Sequence, residues 1–161
     1  MGYSQGGLSA VASVILFSIL PIIQGCSGSS DRAGPVSSMS GKKYVSGENG
    51  GKIIKYAIKV KRLENSGKLV QFAGTCNSAC TLYLGLPRHQ TCISPGAKFR
   101  FHMPYGVSGK GREAAKDYMM RSYPVWVRSW IRRSGGLTNR TMTMNYDYAS
   151  RYIRPCKVKT A

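Results

Sequence analysis

The sequence predicts a single α/β domain, and three observations predict it. Short runs of strand-like alternation fall at residues 43–46, 68–73 and 97–102. Helix-like segments fall between and after them, over residues 79–85, 112–122 and from Pro124 onward. Turn residues punctuate the boundaries: Gly50-Gly51, Asn65-Ser66-Gly67, Pro87, Pro95 and Gly135-Gly136.

The N-terminus stands apart from that domain. Residues 8–23, LSAVASVILFSILPII, carry no charge and lead directly into QGCSGSS. An apolar core followed by small residues is the pattern of a secretory signal. Ile23-Gln24-Gly25-Cys26 also resembles the bacterial lipoprotein cleavage box, in which Cys26 becomes the lipidated first residue. The opening MGYSQGG lacks the usual positive end, so an uncleaved anchor is the competing expectation. The expected organisation is a signal over 1–26, a Ser/Gly-rich linker over 27–42 and a folded domain over 43–161. The expected location is exported, either periplasmic or held at the membrane by the N-terminus.

Within the domain, residues 43–46 read as a strand that ends in the turn Glu48-Asn49-Gly50-Gly51. Residues 52–63 are ambiguous. Ile54, Tyr56, Ile58 and Val60 alternate as in a strand, whereas Ile53, Ala57, Val60 and Leu63 trace a helical face. After the strand over 68–73, Asn77 or Ser78 can cap a short helix. Pro124 suits a helix start, and the stripe Trp126, Val127, Trp130 and Ile131 then packs into a core or lies in a membrane interface. One more helix and a closing segment are expected in the tail.

Lys and Arg number 24 against six acidic residues, a formal charge of +18. Such a charge favours anionic partners. The chain has no zinc-finger spacing, RNA-binding aromatic motif or helix-turn-helix signature, so an anionic membrane or envelope polymer is expected before nucleic acid. Beyond Cys26, the cysteines are Cys76, Cys80, Cys92 and Cys156. An even set in an exported chain predicts two disulfides with three possible pairings. Metal-ligand spacing is absent from the cysteines and from His89 and His102, and neither metal nor cofactor is expected.

The chemistry-bearing pattern is VQFAGTCNSAC, a strand, a glycine, then a serine at a helix start. There Ser78 presents its hydroxyl at a strand end, with helix-start amides able to stabilise an oxyanion. His102 ends the 97–102 strand, and Asp147 is the last acidic residue of the chain. If the two strands are neighbours, serine and imidazole meet at one sheet edge, with Asp147 available to orient the ring. Each has a structural alternative: Ser78 as an N-cap, His102 as a half-buried ring held by a carbonyl, Asp147 as a surface charge.

The pieces G50-G51, G74-T-C-N-S78-A-C-T-L-Y-L, C92-I-S-P-G-A-K-F-R-F-H102 and, more faintly, S134-G-G-L with Asp147 carry a resemblance. The chain resembles the superfamily of the Clp protease proteolytic subunit and crotonase, and most of all its small secreted bacterial branch, over residues 43–155. The resemblance implies a ClpP/crotonase-like fold: a curved, partly parallel sheet with outer helices in β-β-α units, shortened here at its N-terminus and so left with an open edge. It makes residues 52–63 a helix. It casts Ser78 as nucleophile, His102 as general base, Asp147 as the orienting acid, and the amides of Gly51 and Ala79 as the oxyanion hole. It also suggests a Cys80–Cys92 disulfide beside the site, with Cys76–Cys156 tying down the chain end, and a homo-oligomer. Glu48-Asn49 replace the family's usual polar residue and proline before the double glycine. The implied function is an exported serine hydrolase, a peptidase. The alternative is a non-catalytic basic envelope protein on the same scaffold that binds an anionic surface, polymer or protein partner.

Overall fold

The computed structural model of the chain describes residues 41–157, so the signal, Cys26 and the linker up to residue 40 lie outside the described residues. Among the described residues, no helix is long and apolar enough to cross a membrane.

β1 (Lys42–Glu48) and β2 (Leu69–Asn77) pair in parallel, from Lys42 opposite Leu69 to Glu48 opposite Cys76. Parallel neighbours cannot be joined by a tight turn, so the segment between them must cross over the sheet. That requirement resolves the ambiguous stretch as α1 (Ile53–Ser66). Tyr56 is buried, with Ile53, Val60 and Leu63 packed beside it, while Ile54 and Ile58 face solvent. The strand-like alternation was therefore the misleading pattern. Gly67 ends α1 in the left-handed conformation at φ 64° and donates its N–H to the Glu64 carbonyl.

The other edge of β2 holds two short strands in succession. β3 (Thr91–Ile93) lies beside its first half, Val70 opposite Thr91, and β4 (Lys98–Phe101) beside its second, Asn77 opposite Arg100; both are parallel to β2. β5 (Met142–Asn145) then adds to β4 in antiparallel register, Phe101 opposite Met142 and Lys98 opposite Asn145. The fold is thus a mixed five-stranded sheet flanked by helices. β1 runs to Lys42, so that residue belongs to the sheet and not to the expected linker.

A 3₁₀ helix (Ser78–Gly85) follows β2, and every residue from Ala79 to Leu84 is buried. α2 (Gly109–Ser122) and α3 (Val125–Arg133) come next, with Pro124 at the N-cap of α3. Val127 and Ile131 are fully buried. Trp126 stacks on Tyr152 at 4.7 Å, so the tryptophan stripe belongs to packing. The tail forms β5 and the single turn α4 (Tyr146–Ala149) where a helix and a closing segment were expected. The sheet's inner face carries Val70 and Phe72 of β2 with Phe99 and Phe101 of β4, Phe72 meeting Phe99 edge-on at 4.9 Å. Each such side chain contributes about 1.5–3 kcal/mol through burial.

All four remaining cysteines form disulfides, but the pairing is Cys76–Cys80 and Cys92–Cys156. The implied Cys80–Cys92 and Cys76–Cys156 pairs are corrected by the register. Cys92 sits opposite Gln71, five residues along β2 from Cys76, about 16 Å by strand rise and far beyond a disulfide's reach. Cys80 follows Cys76 by four residues across the junction of β2 and the 3₁₀ helix, with Cα atoms 5.4 Å apart. Cys156 instead returns alongside β3, where its N–H donates to the Ile93 carbonyl at 2.9 Å. With separations of 4 and 64 residues, loop-closure entropy gives about 2 kcal/mol for the short bridge and about 4 for the long one.

Candidate active site

Ser78 sits where β2 gives way to the 3₁₀ helix. It is the one non-glycine residue with a positive φ among the described residues, at 56°. L-residues avoid this conformation, and strained backbone held in place by its surroundings clusters at functional sites. Two contacts support the turn. Thr81 donates its hydroxyl to the Ser78 carbonyl at 2.6 Å. Its single proton being used there, the fully buried Tyr123 phenol at 2.6 Å donates to Thr81 in turn. Burial raises the Tyr123 pKa well above the ordinary phenol value.

The double glycine meets this turn directly. Gly50 has φ 81°, and a Cβ there would lie 2.5 Å from the Asn77 carbonyl oxygen, 2.8 Å from Ser78 Cβ and 3.0 Å from the Ala79 nitrogen. Only a residue without a side chain allows this approach. Gly51, at φ 140°, has open space around it. The strand end before the loop is fixed by Glu48, which pairs with Lys43 and accepts a hydrogen bond from Tyr56 at 2.9 Å. Burial, with the Glu48 hydrogen bond and charge adding, pushes the Tyr56 phenol up to about 12. Burial raises Tyr83 above the usual range too, and the charge of Glu48 adds to it. The ties of Glu48 to β1 and α1 hold the approach to Gly50.

His102 follows β4, the strand beside the end of β2. Continuing the register sets Ser78 opposite Phe101 and one residue short of His102, on strands roughly 4.8 Å apart. The half-buried imidazole shares a 2.8 Å hydrogen bond between Nδ1 and the Met103 carbonyl, and it stacks on the exposed Tyr105 ring at 5.2 Å. A carbonyl only accepts, so Nδ1 carries a proton, and in the neutral ring Nε2 is the nitrogen with the free lone pair. That is the tautomer a general base needs. Among the described residues, Ser78 Oγ and His102 Nε2 make no hydrogen bond to one another.

Asp147 does not join this cluster, a correction to the orienting role expected for it. It is exposed on α4, just beyond Asn145, which pairs with Lys98 at the start of β4, whereas His102 follows the end of β4. Four residues of strand rise alone separate the two ends by about 13 Å. The Met103 carbonyl occupies the place the acid was to fill, a backbone partner that no side-chain motif signals. Ala79 directly follows Ser78, and Gly51 follows the Gly50 that packs against the Ser78 turn. Two clefts lie elsewhere: about 390 Å³ among Val60, Leu82 and Tyr118, and about 330 Å³ beside the Cys92–Cys156 bridge, rimmed by Lys42, Arg154 and Lys157. With every described cysteine in a disulfide, no thiol remains there as a metal ligand or nucleophile.

No protein-family model matches the chain, and no curated protein matches it. Among solved structures, one described as "Crystal structure of an Enzyme" superposes with a TM-score of 0.54 at 11% identity, covering 74% of this chain and 79% of that one. At that identity the likeness shows a shared α/β architecture.

Proposed function

We propose that the chain is a serine hydrolase of the ClpP/crotonase-like type, a peptidase that acts after export. The single observation that carries this is the left-handed Ser78, set against a glycine that admits no side chain. In the proposed reaction Ser78 Oγ attacks the scissile peptide carbonyl while His102 Nε2 takes its proton. The amides of Gly51 and Ala79 stabilise the oxyanion of the tetrahedral intermediate. His102 then returns the proton to the departing amine, leaving an acyl-enzyme that water releases. Met103 holds the imidazole tautomer throughout, in place of a carboxylate. A neutral carbonyl stabilises the imidazolium less than an aspartate does, so a slow enzyme is expected.

The test treats the disulfide-bonded protein with a fluorophosphonate and reads the adduct by intact mass. One adduct on the wild type, absent from Ser78→Ala and weakened in His102→Ala, is the expected result. A folded protein that takes no adduct refutes the proposal.

A second reading is favoured by the rim of Lys42, Arg154 and Lys157 around the cleft at the other end of the sheet, and by the charge of +18. On that reading the scaffold binds an anionic membrane, envelope polymer or protein partner without catalysis, either as a single chain or as a homo-oligomer. Binding to anionic vesicles or polymer would then weaken with salt and be indifferent to Ser78→Ala.

A further inference from the structure

We infer that the Cys76–Cys80 disulfide is a positioning element for Ser78: it closes the loop Cys76-Asn77-Ser78-Ala79-Cys80 around that residue and holds it left-handed. The catalytic consequence rests on the hydrolase proposal; the conformational one does not.

Three observations converge. Ser78 occupies the centre of the closed loop, and it alone among the described non-glycine residues has a positive φ. The usual device for a helix start is missing. Asn77 occupies the N-cap position but makes no side-chain capping hydrogen bond, and its Oδ1 is buried with no partner. A cap would satisfy the first amides and favour an ordinary entry into the helix. The third is the division of labour between the bridges. Cys92–Cys156 closes the long loop and so carries most of the chain-entropy stabilisation, whereas a bridge four residues long constrains little beyond its own turn.

The remaining supports, the Thr81 hydrogen bond to the Ser78 carbonyl and the packing of Gly50 against the turn, are non-covalent and do not tie its two ends together. Without the bridge, residue 78 has an L-residue's reason to leave the left-handed region. Its hydroxyl then leaves the position that the proposed reaction requires. The assembled site therefore belongs to the oxidised chain.

The experiment compares Ser78→Gly with Ser78→Ala in three backgrounds: wild type, Cys76→Ala/Cys80→Ala and Cys92→Ala/Cys156→Ala. Glycine accepts a left-handed φ freely, so its advantage over alanine reads the conformation of residue 78 by stability alone. In the wild type and the Cys92→Ala/Cys156→Ala background, Ser78→Gly is expected to raise the folded-to-unfolded ratio about five- to thirty-fold over Ser78→Ala. In Cys76→Ala/Cys80→Ala that advantage is expected to vanish. An equal advantage in all three backgrounds overturns the inference. Should the double alanine variant not fold, Cys76→Val/Cys80→Val keeps the buried volume and makes the same comparison. Fluorophosphonate labelling of Ser78, with folding verified, is expected to slow at least about tenfold in the variant lacking the short bridge and to be retained in the one lacking the long bridge. A wild type that never labels defeats the hydrolase proposal and leaves the glycine comparison standing.

Discussion

Replacing Gly50 with alanine is the most direct probe of the candidate site, because Gly51→Ala supplies an internal control. Both glycines have positive φ, at 81° and 140°, so both substitutions force an L-residue into a disfavoured conformation, at about 1–2 kcal/mol. They differ in surroundings. A Cβ at Gly51 meets nothing within 4 Å, while one at Gly50 lands 2.5 Å from the Asn77 carbonyl oxygen and 2.8 Å from Ser78 Cβ. These are backbone and near-backbone atoms of a turn closed by a disulfide, so the loop must shift instead. Overpacking of this kind adds about 1–3 kcal/mol. Gly50→Ala is therefore expected to cost about 2–5 kcal/mol, against about 1–2 for Gly51→Ala, as measured by urea unfolding with disulfides intact. The shifted loop should also lower Ser78 labelling by fluorophosphonate more than the stability loss explains. Equal destabilisation by the two substitutions would refute the claimed contact between the double glycine and the Ser78 turn.

Three further outcomes follow from the same geometry. Thr81→Val removes the hydroxyl between Tyr123 and the Ser78 carbonyl, leaving a buried phenol and carbonyl without that partner, and should cost about 1–3 kcal/mol in urea unfolding. Tyr56, Tyr83 and Tyr123 all have pKa values raised by burial, Tyr56 to about 12. The folded chain therefore keeps phenolic protons that the unfolded chain loses from pH 10 upward, so their contribution is complete below pH 10 and is lost as the pH rises through 12. The urea midpoint should fall across that window, and less steeply in Tyr56→Phe; a midpoint flat across it would contradict the burial of these phenols. Cys92→Ala/Cys156→Ala should lose about 4 kcal/mol, roughly twice the chain-entropy loss from opening the four-residue bridge, in unfolding experiments on both double variants.

The sequence by itself determined much of the local grammar. Alternating Phe99 and Phe101 marked a strand with one buried face, and both are fully buried in β4. Pro124 marked the start of α3, and Gly135-Gly136 the turn beyond it. The strand-glycine-serine pattern drew attention to Ser78, because its hydroxyl falls at a strand end where helix-start amides can stabilise an oxyanion. What only the tertiary structure decided was which distant segments meet. Residues 52–63 fit two periods equally, and the parallel pairing of β1 with β2 chose the helix because a crossover must span the sheet. β5 was illegible: Met142–Asn145 has one fully buried side chain and gains its strand conformation from hydrogen bonds to β4. Four cysteines admit three pairings that sequence spacing cannot rank; β3 beside the first half of β2 separates Cys92 from Cys80 and leaves it to the returning chain end. The same register carried Asp147 away from His102 and left a backbone carbonyl to set the imidazole tautomer. Local propensity acts through neighbours in the chain, whereas register and pairing depend on contacts whose closure is decided only when the whole sheet assembles.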